Sequence, residues 1–439
     1  MQIQQNDIHQ NLKEITIFLS EYAATLMAVG VQTSRVCRNT ERIAVSFNYH
    51  ANILIFPKTM SITLHDNHCN HSYTYVKRMP SMPLNFRSNM ELSKLSWRAF
   101  DEHLSIDRLW SEYKRIISEK RESPWVVLIL VSFANACFCR LFDGNLTSMI
   151  IVWIATFIGF YIRQQLTKRK WSALAVFIIC SFISTIIGST DYLLIHGGTE
   201  DMSLGTSMLY LVPGVPLING VMDIIDHHVL NGIARLTNAG MLIICIALGL
   251  SLTLLITGID ATTFTKVIRA NIILASIADG LFAAVAGIGF AIISNPPRKA
   301  LFISALLACI GHGIRYFLMH NSNIMMDQAM ASTIAAFVIG LLAVQFGTHI
   351  HCPSECFAFP SLLPMVPGMF AYKSVIALIN MVRTSENYTA EYVDQFFHFG
   401  MLTILVMVGM VVGCVIPIFI FHRQSFSVTR MKQVRPNVD

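Results

Sequence analysis

From Trp125 onward the chain reads as ten apolar stretches, each near the roughly 20 residues a helix needs to cross a hydrocarbon core. They fall at 125–142, 145–162, 171–190, 203–220, 239–258, 271–293, 300–319, 329–347, 357–380 and 399–422. Lipid offers backbone amides and carbonyls no partner, so stretches of this length and polarity are restricted to helices that satisfy their own backbones. Of 439 residues, 54% are hydrophobic and only 13% charged, the balance of a polytopic membrane protein. The expected class is mainly α, with about ten transmembrane helices behind a small α+β domain. Met1–Asn11 is polar, so no cleavable signal peptide is expected. Cys137, Cys139, Cys180, Cys245, Cys309 and Cys414 lie in apolar spans and read as small packing residues rather than a disulfide framework.

Residues 1–122 are polar enough to form a separate domain. Leu12, Ile15, Phe18, Leu19, Tyr22 and Leu26 recur at helical spacing within Ile8–Val29, and Gly30 follows as a stop. Thr33 or Ser34 is expected to cap a second helix running to Phe47. Ala51–Phe56, Met60–His65 and His71–Lys77 read as three short strands, and Glu91–Glu122 as helix. His65, His68, Cys69 and His71 have ligand types that suit zinc, as do His349, His351, Cys352 and Cys356. Neither group matches a standard ligand spacing, so both are read as polar loops and no metal site is assigned.

Positive charge orients the chain. With the N-terminal domain in the cytoplasm, the inside loops carry Arg163, Lys168, Arg169, Lys170, Arg235, Arg298, Lys299 and the tail residues Arg423, Arg430, Lys432 and Arg435. The outside loops hold only Lys266, Arg269 and Arg383, so both termini are expected inside. Net charge of +6 is thereby used for orientation, and no nucleic-acid partner is called. Ten spans divide into five and five, and an odd number per half turns the second half upside down. The expected units are 1–122, a first repeat at 123–260, a second at 261–423 and a tail at 424–439.

The helix breakers carry the repeat. The fourth span contains Val212-Pro213-Gly214-Val215-Pro216, then Asn219, Gly220 and Asp223; the ninth contains Pro360, Pro364 and Val366-Pro367-Gly368. Interrupted spans at corresponding positions of two halves point to a midplane binding site, so the two breaks are expected to face each other. Ionisable residues at membrane depth are expensive and need a reason. Asp223, Asp279 and His312 are the candidates for ion coupling, with Arg315 as a partner for Asp279. Lys373, just past Tyr372, needs a counter-ion or an anionic solute.

At these residues the chain resembles the threonine/serine exporter family. The segment from Pro213 to Asp223 is similar to that family's signature, as are Thr33-Ser34-Arg35-Val36 and Glu41-Arg42-Ile43-Ala44 in the first domain. Asn295-Pro296-Pro297-Arg298 and Phe359–Tyr372 resemble the second half, which some bacteria make as a separate small protein. Lys58-Thr59-Met60 departs from the Thr-Gly pair the family has after the proline. The resemblance implies an inner-membrane secondary transporter, not an enzyme, that exports threonine- and serine-like amino acids on a proton gradient or membrane potential. It implies no cofactor, a lipid bilayer around the spans, and leaves a homo-oligomer open. Pro213, Gly214, Pro216, Asn219, Gly220, Pro364, Pro367, Gly368, Tyr372 and Lys373 are the expected substrate and gate residues. One alternative is export of small dicarboxylates such as succinate, which gives Arg315 and Lys373 more weight. A membrane-anchored enzyme or sensor acting through residues 1–120 is another, although no nucleophile–base motif stands out there.

Overall fold

The computed structural model describes residues 2–66, 71–259, 272–383, 390–421 and 428–430. His68, Cys69, Lys266, Arg269, Arg423, Lys432 and Arg435 lie outside them, as does the side chain of Arg383.

The N-terminal domain packs helices on a sheet. Helices α1 (Gln2–Ala28) and α2 (Thr33–Ser46) precede strands β1 (Tyr49–Ile55), β2 (Thr59–Asp66) and β3 (Ser72–Arg78). The strands form one antiparallel sheet in the order β1-β2-β3. Alternation along β2 turns Met60, Ile62 and Leu64 inward, where they meet Leu12, Ile15, Phe18, Leu19 and Tyr22 of α1 in one buried core. Glu91–Glu122 is two helices rather than one, α3 (Phe86–Glu102) and α4 (Ile106–Ser118), because His103 turns left-handed at φ 50° between them. The expected cap of α2 is also corrected. Gln32 occupies the N-cap without a side-chain bond, and the amide of Thr33 finds its acceptor on Asp223 instead.

Among the described residues eight helices are long and apolar enough to span a bilayer, and counting each of two bent pairs as one span brings the number to ten. The long helices are α5 (Pro124–Leu141), α6 (Leu146–Lys168), α7 (Ala173–Gly188, extended by a π turn over Asp191–Ile195), α10 (Val229–Thr257), α11 (Ile272–Ile293), α12 (Arg298–His320), α13 (Gln328–Ile350) and α16 (Ala390–Ile420). The expected fourth span is α8 (Glu200–Thr206) and α9 (Gly214–Ile225), joined by a 3-10 turn over Leu209–Leu211 and bent by 62°. The ninth is α14 (Glu355–Leu362) and α15 (Gly368–Arg383), with its 3-10 turn over Leu363–Met365 and a bend of 46°. Helices α10 and α16 begin at residues 229 and 390, well before the expected 239 and 399. Their first turns are polar but continue the helix, and Arg235 there serves the domain below. Small residues set the closest approaches: a Cβ at Gly340 would meet the Cys414 backbone, and one at Gly413 the Thr333 carbonyl, locking α13 to α16. Large apolar side chains such as Phe302, Leu255 and Leu274 stand outward, 76%, 69% and 66% exposed, on the surface a lipid bilayer would cover.

The N-terminal domain sits on one face of the bundle. The amides of Phe86 and Arg87 donate to the carbonyls of Ser294 and Asn295 at 2.8 and 3.1 Å, and Arg121 reaches the carbonyl of Ile293 at 3.2 Å. Helix α5 therefore leaves this face, whereas α11 arrives at it. Likewise α9 ends here, with Asp223 on Thr33, whereas α14 begins here, with Glu355 on Arg35. The Arg35–Glu355 pair, 2.8 Å apart, is almost fully buried, at 3% and 6% exposed. Removing one member strands the other charge in a dry interface, at a cost of about 3–5 kcal/mol. Arg35→Ala or Glu355→Ala should lower the thermal unfolding midpoint of the detergent-solubilised protein well below that of Arg35→Met/Glu355→Met, and equal midpoints would remove the pair from the account of domain docking.

Candidate functional site

The two breaks are built alike. Val212 and Val366, 154 positions apart, each donate to the carbonyl three residues back, on Leu209 and Leu363, at 3.1 Å. The amides of Gly214 and Gly368 then donate to the carbonyls of Val212 and Val366 at 2.9 and 2.7 Å. Pro213 and Pro367 lack the donors a continuous helix would use, so their carbonyls instead start the next helices, accepting from Leu217 and Ala371 at 3.1 Å. Pro216 falls in the first turn of α9, where a missing amide is harmless.

The breaks face each other. A Cβ at Gly214 would strike the side chain of Leu363, and one at Gly368 would lie 3.1 Å from Leu209 Cδ2, so each glycine admits the other turn's leucine. Between them Leu209, Val212, Val366, Gly368, Tyr372 and Thr403 line a gap of about 50 Å³. That space is small beside the roughly 300–1,000 Å³ of a ligand pocket, and its lining is almost wholly apolar. Pro364 belongs to the 3-10 turn of the second break.

A buried ionisable chain hangs on that second turn. Asp279 Oδ2 lies 2.6 Å from His312 Nδ1, and His312 Nε2 lies 2.8 Å from Arg315 Nη2. Arg315 Nη1 donates to the Met365 carbonyl at 3.3 Å, two residues before Pro367. All three side chains are buried. A guanidinium can only donate, so His312 Nε2 accepts and its Nδ1 carries the proton facing Asp279. The cluster thus runs from a carboxyl group through an imidazole to a guanidinium. The first half has a neutral counterpart that sequence reasoning missed. Asn135 donates to Thr156 Oγ1 at 2.7 Å and to the Thr206 carbonyl at 3.0 Å, and Tyr210 pairs with Ser184 at 2.9 Å.

Other expected residues are placed elsewhere. Asp223, nine residues beyond Gly214, is about 13 Å further along α9 at 1.5 Å per residue. Its carboxylate accepts from the amide and hydroxyl of Thr33, both at 3.0 Å, and lies 3.3 Å from Arg235 Nε. Asn219 donates to the Gly30 carbonyl at 3.0 Å, and Gly220 packs against Gly232 and Leu236 of α10. Both Asn219 and Asp223 therefore serve the interface with the N-terminal domain, not the gap. Lys373 lies 5.0 Å from the Phe399 ring. His351 meets the Val428 carbonyl and Cys356 Sγ the Phe86 carbonyl; among the described residues no three His, Cys, Asp or Glu side chains gather as metal ligands.

A polytopic bundle whose two broken spans meet around a narrow apolar gap, with an ionisable cluster on neighbouring helices bonded to one of them, is the build of a membrane transporter. Residues 17–257 match the family model described as "Putative threonine/serine exporter", and residues 279–420 match "Threonine/Serine exporter, ThrE". The chain belongs to the threonine/serine exporter family, with both halves in one polypeptide. It is 28% identical over 246 residues to "Probable succinate transporter subunit YjjP" of Escherichia coli, covering 55% of this chain and 92% of that protein. It is 30% identical over 159 residues to the protein of the same description from Klebsiella aerogenes, covering 36% of this chain and 60% of that one. An uncharacterised Haemophilus influenzae protein is 32% identical over 147 residues, 34% of this chain and 48% of its own length. No solved structure matches. These relationships identify a transporter and set aside the membrane-anchored enzyme.

Side chains added at the crossing should prop the breaks apart or jam them. Gly214→Val and Gly368→Val are each expected to reduce solute flux in reconstituted vesicles at least about tenfold, a barrier change of about 1.4 kcal/mol, while Gly240→Val, at a position with open space around it, leaves flux near the parent value.

Proposed function

We propose that the protein is a secondary transporter of the inner (plasma) membrane that exports threonine- and serine-like amino acids along a path opened between the two breaks. The observation that carries this reading is the Asp279–His312–Arg315 chain ending on the Met365 carbonyl of the second break. A zwitterionic amino acid presents one ammonium and one carboxylate, the complements of Asp279 and Arg315. When the breaks part, Arg315 can exchange the Met365 carbonyl for the solute carboxylate, and Asp279 can exchange the imidazole N–H for the ammonium. A proton entering from the other side of the membrane competes with the ammonium for Asp279, so solute and proton move in opposite directions. Loading both at once would leave Asp279 neutral beside an unpaired ammonium. Gradient-driven export follows from that exclusion.

The same reading takes the two halves as inverted repeats, supported by the opposite directions in which α5 and α11, and the two broken spans, meet the N-terminal domain. It places that domain and both termini in the cytoplasm, on the charge bias of the loops. Asp223 enters as an interface residue rather than a coupling site. A second solute, a small dicarboxylate, is favoured by the succinate description of the relatives and by Lys373 as a second cation. The anion at Asp279 weighs against a dianion at the second break.

Purified protein in vesicles decides between them. Counterflow of labelled threonine, displaced by serine and not by succinate, is expected; the reverse preference would transfer the site to dicarboxylates. Asp279→Asn should lower proton-driven efflux at least about tenfold and leave counterflow measurable, and full gradient-driven efflux in that variant would take Asp279 out of the coupling step.

A further inference from the structure

The turn between α1 and α2 bridges both broken spans. Gly30, at φ +94°, folds the chain so that five consecutive backbone or side-chain groups point at the bundle. The Gly30 carbonyl accepts from Asn219 at 3.0 Å and the Val31 carbonyl from Arg235 Nη2 at 2.9 Å. Gln32 donates to Asp226 at 3.2 Å, and Thr33 gives its amide and hydroxyl to Asp223. Two residues on, Arg35 crosses to Glu355 at 2.8 Å. Asn219, Asp223 and Asp226 end the first broken span, and Glu355 begins the second. One short turn thereby joins the two elements that have to separate for the gap to widen.

The correspondence between the halves shows what is unusual about this end. At the same 154-position offset, Asp201 corresponds to Glu355 and Asn219 to Lys373. Away from the domain, the acid of the first broken span, Asp201, lies in Coulomb range of the cation of the second, Lys373, and also accepts from the Tyr192 hydroxyl. There both charges come from the bundle itself. Beside the domain, the acid is present as Glu355, but the position equivalent to Lys373 holds the neutral Asn219. The cation that meets Glu355 is carried in by the N-terminal domain.

We propose that the N-terminal domain is the gate at its own end of the path, with Arg35 as the gate residue in the place a bundle lysine holds at the other end. Solute enters from that side only when the Gly30–Arg35 turn withdraws from Glu355 and Asp223. The proposal rests on the transport path between the breaks, and its test reads access to the gap as well as flux.

Leu217 also lines the gap, and the full chain is reconstituted with a Leu217→Cys reporter there and the other accessible cysteines replaced. Burial pushes the Cys37 thiol up to about 11, so this native cysteine near the turn stays protonated and slow toward maleimides. Arg35→Glu sets two acids against each other; it should speed labelling of Cys at 217 by a membrane-impermeant maleimide from the domain side at least tenfold. The swap Arg35→Glu/Glu355→Arg should return the parent rate and report that the fold is intact. Separately, a Gln32→Cys/Asp226→Cys disulfide should suppress threonine and succinate counterflow at least tenfold, with recovery on reduction. Equal labelling of parent, Arg35→Glu and swap, or undiminished counterflow in the cross-linked protein, overturns the gate. A parent that moves neither solute instead overturns the solute assignment, and the labelling rates still decide the gate.

Discussion

Every backbone amide and carbonyl in a bilayer has to find a partner inside the protein, and Pro213 and Pro367 make that impossible for a straight helix. The rest of the bundle follows from how those two interruptions are accommodated. Each tightens into a 3-10 turn, and each turn is buried against the other, where Leu209 and Leu363 fit over Gly368 and Gly214. The carbonyls of Leu209 and Leu363, which the prolines cannot reach, accept from Val212 and Val366, and polar side chains from neighbouring helices bond carbonyls close by: Asn135 to that of Thr206 in one half, Arg315 to that of Met365 in the other. A broken span is costly anywhere else in a membrane, and here two of them share one protected location.

That solution leaves the crossing thinly held. The gap is apolar and small, and contacts between the turns are dispersion contacts that fade within an ångström or so of separation. The strong interactions sit at the two ends of the broken spans. At the domain end they are ionic, with Arg35 on Glu355 and Arg235 beside Asp223, all poorly exposed. Burying such pairs adds little net stability but makes partial opening expensive, since a displaced charge needs water or a new partner. The crossing is thus held by weak apolar contacts and the domain end by costly ionic ones.

How much of this could be read from the chain depends on range. Apolar length alone found the spans, the 3.6-residue recurrence of Leu12, Ile15, Phe18, Leu19 and Tyr22 found α1, and the repeated Val-Pro-Gly found both breaks and their mutual facing. These signals are local or repetitive. Arg35 and Glu355 are 320 positions apart and sit in stretches whose composition says nothing of each other. Asn219 and Asp223 looked like site residues because they follow the breaker-rich segment, but helical rise carries them more than one and more than two turns away, to the domain surface. The first turns of α10 and α16 were missed for a related reason: hydropathy sees the bilayer, and a helix that extends beyond it toward a neighbouring domain turns polar without ending.

The two halves repeat a shape and not a chemistry. The cluster supporting the first break is neutral, built from Asn135, Thr156, Ser184 and Tyr210, while that supporting the second contains Asp279, His312 and Arg315. Only the second cluster contains acidic and basic side chains, so the two breaks meet different polar surroundings. The family match to residues 17–257 contains the first break and the whole docking turn, and the match to residues 279–420 contains the second break with the ionisable chain. Neither segment holds both breaks, and each break alone would expose its turn to lipid. The fused chain keeps both partners at equal number, so each glycine has the other turn's leucine to pack against.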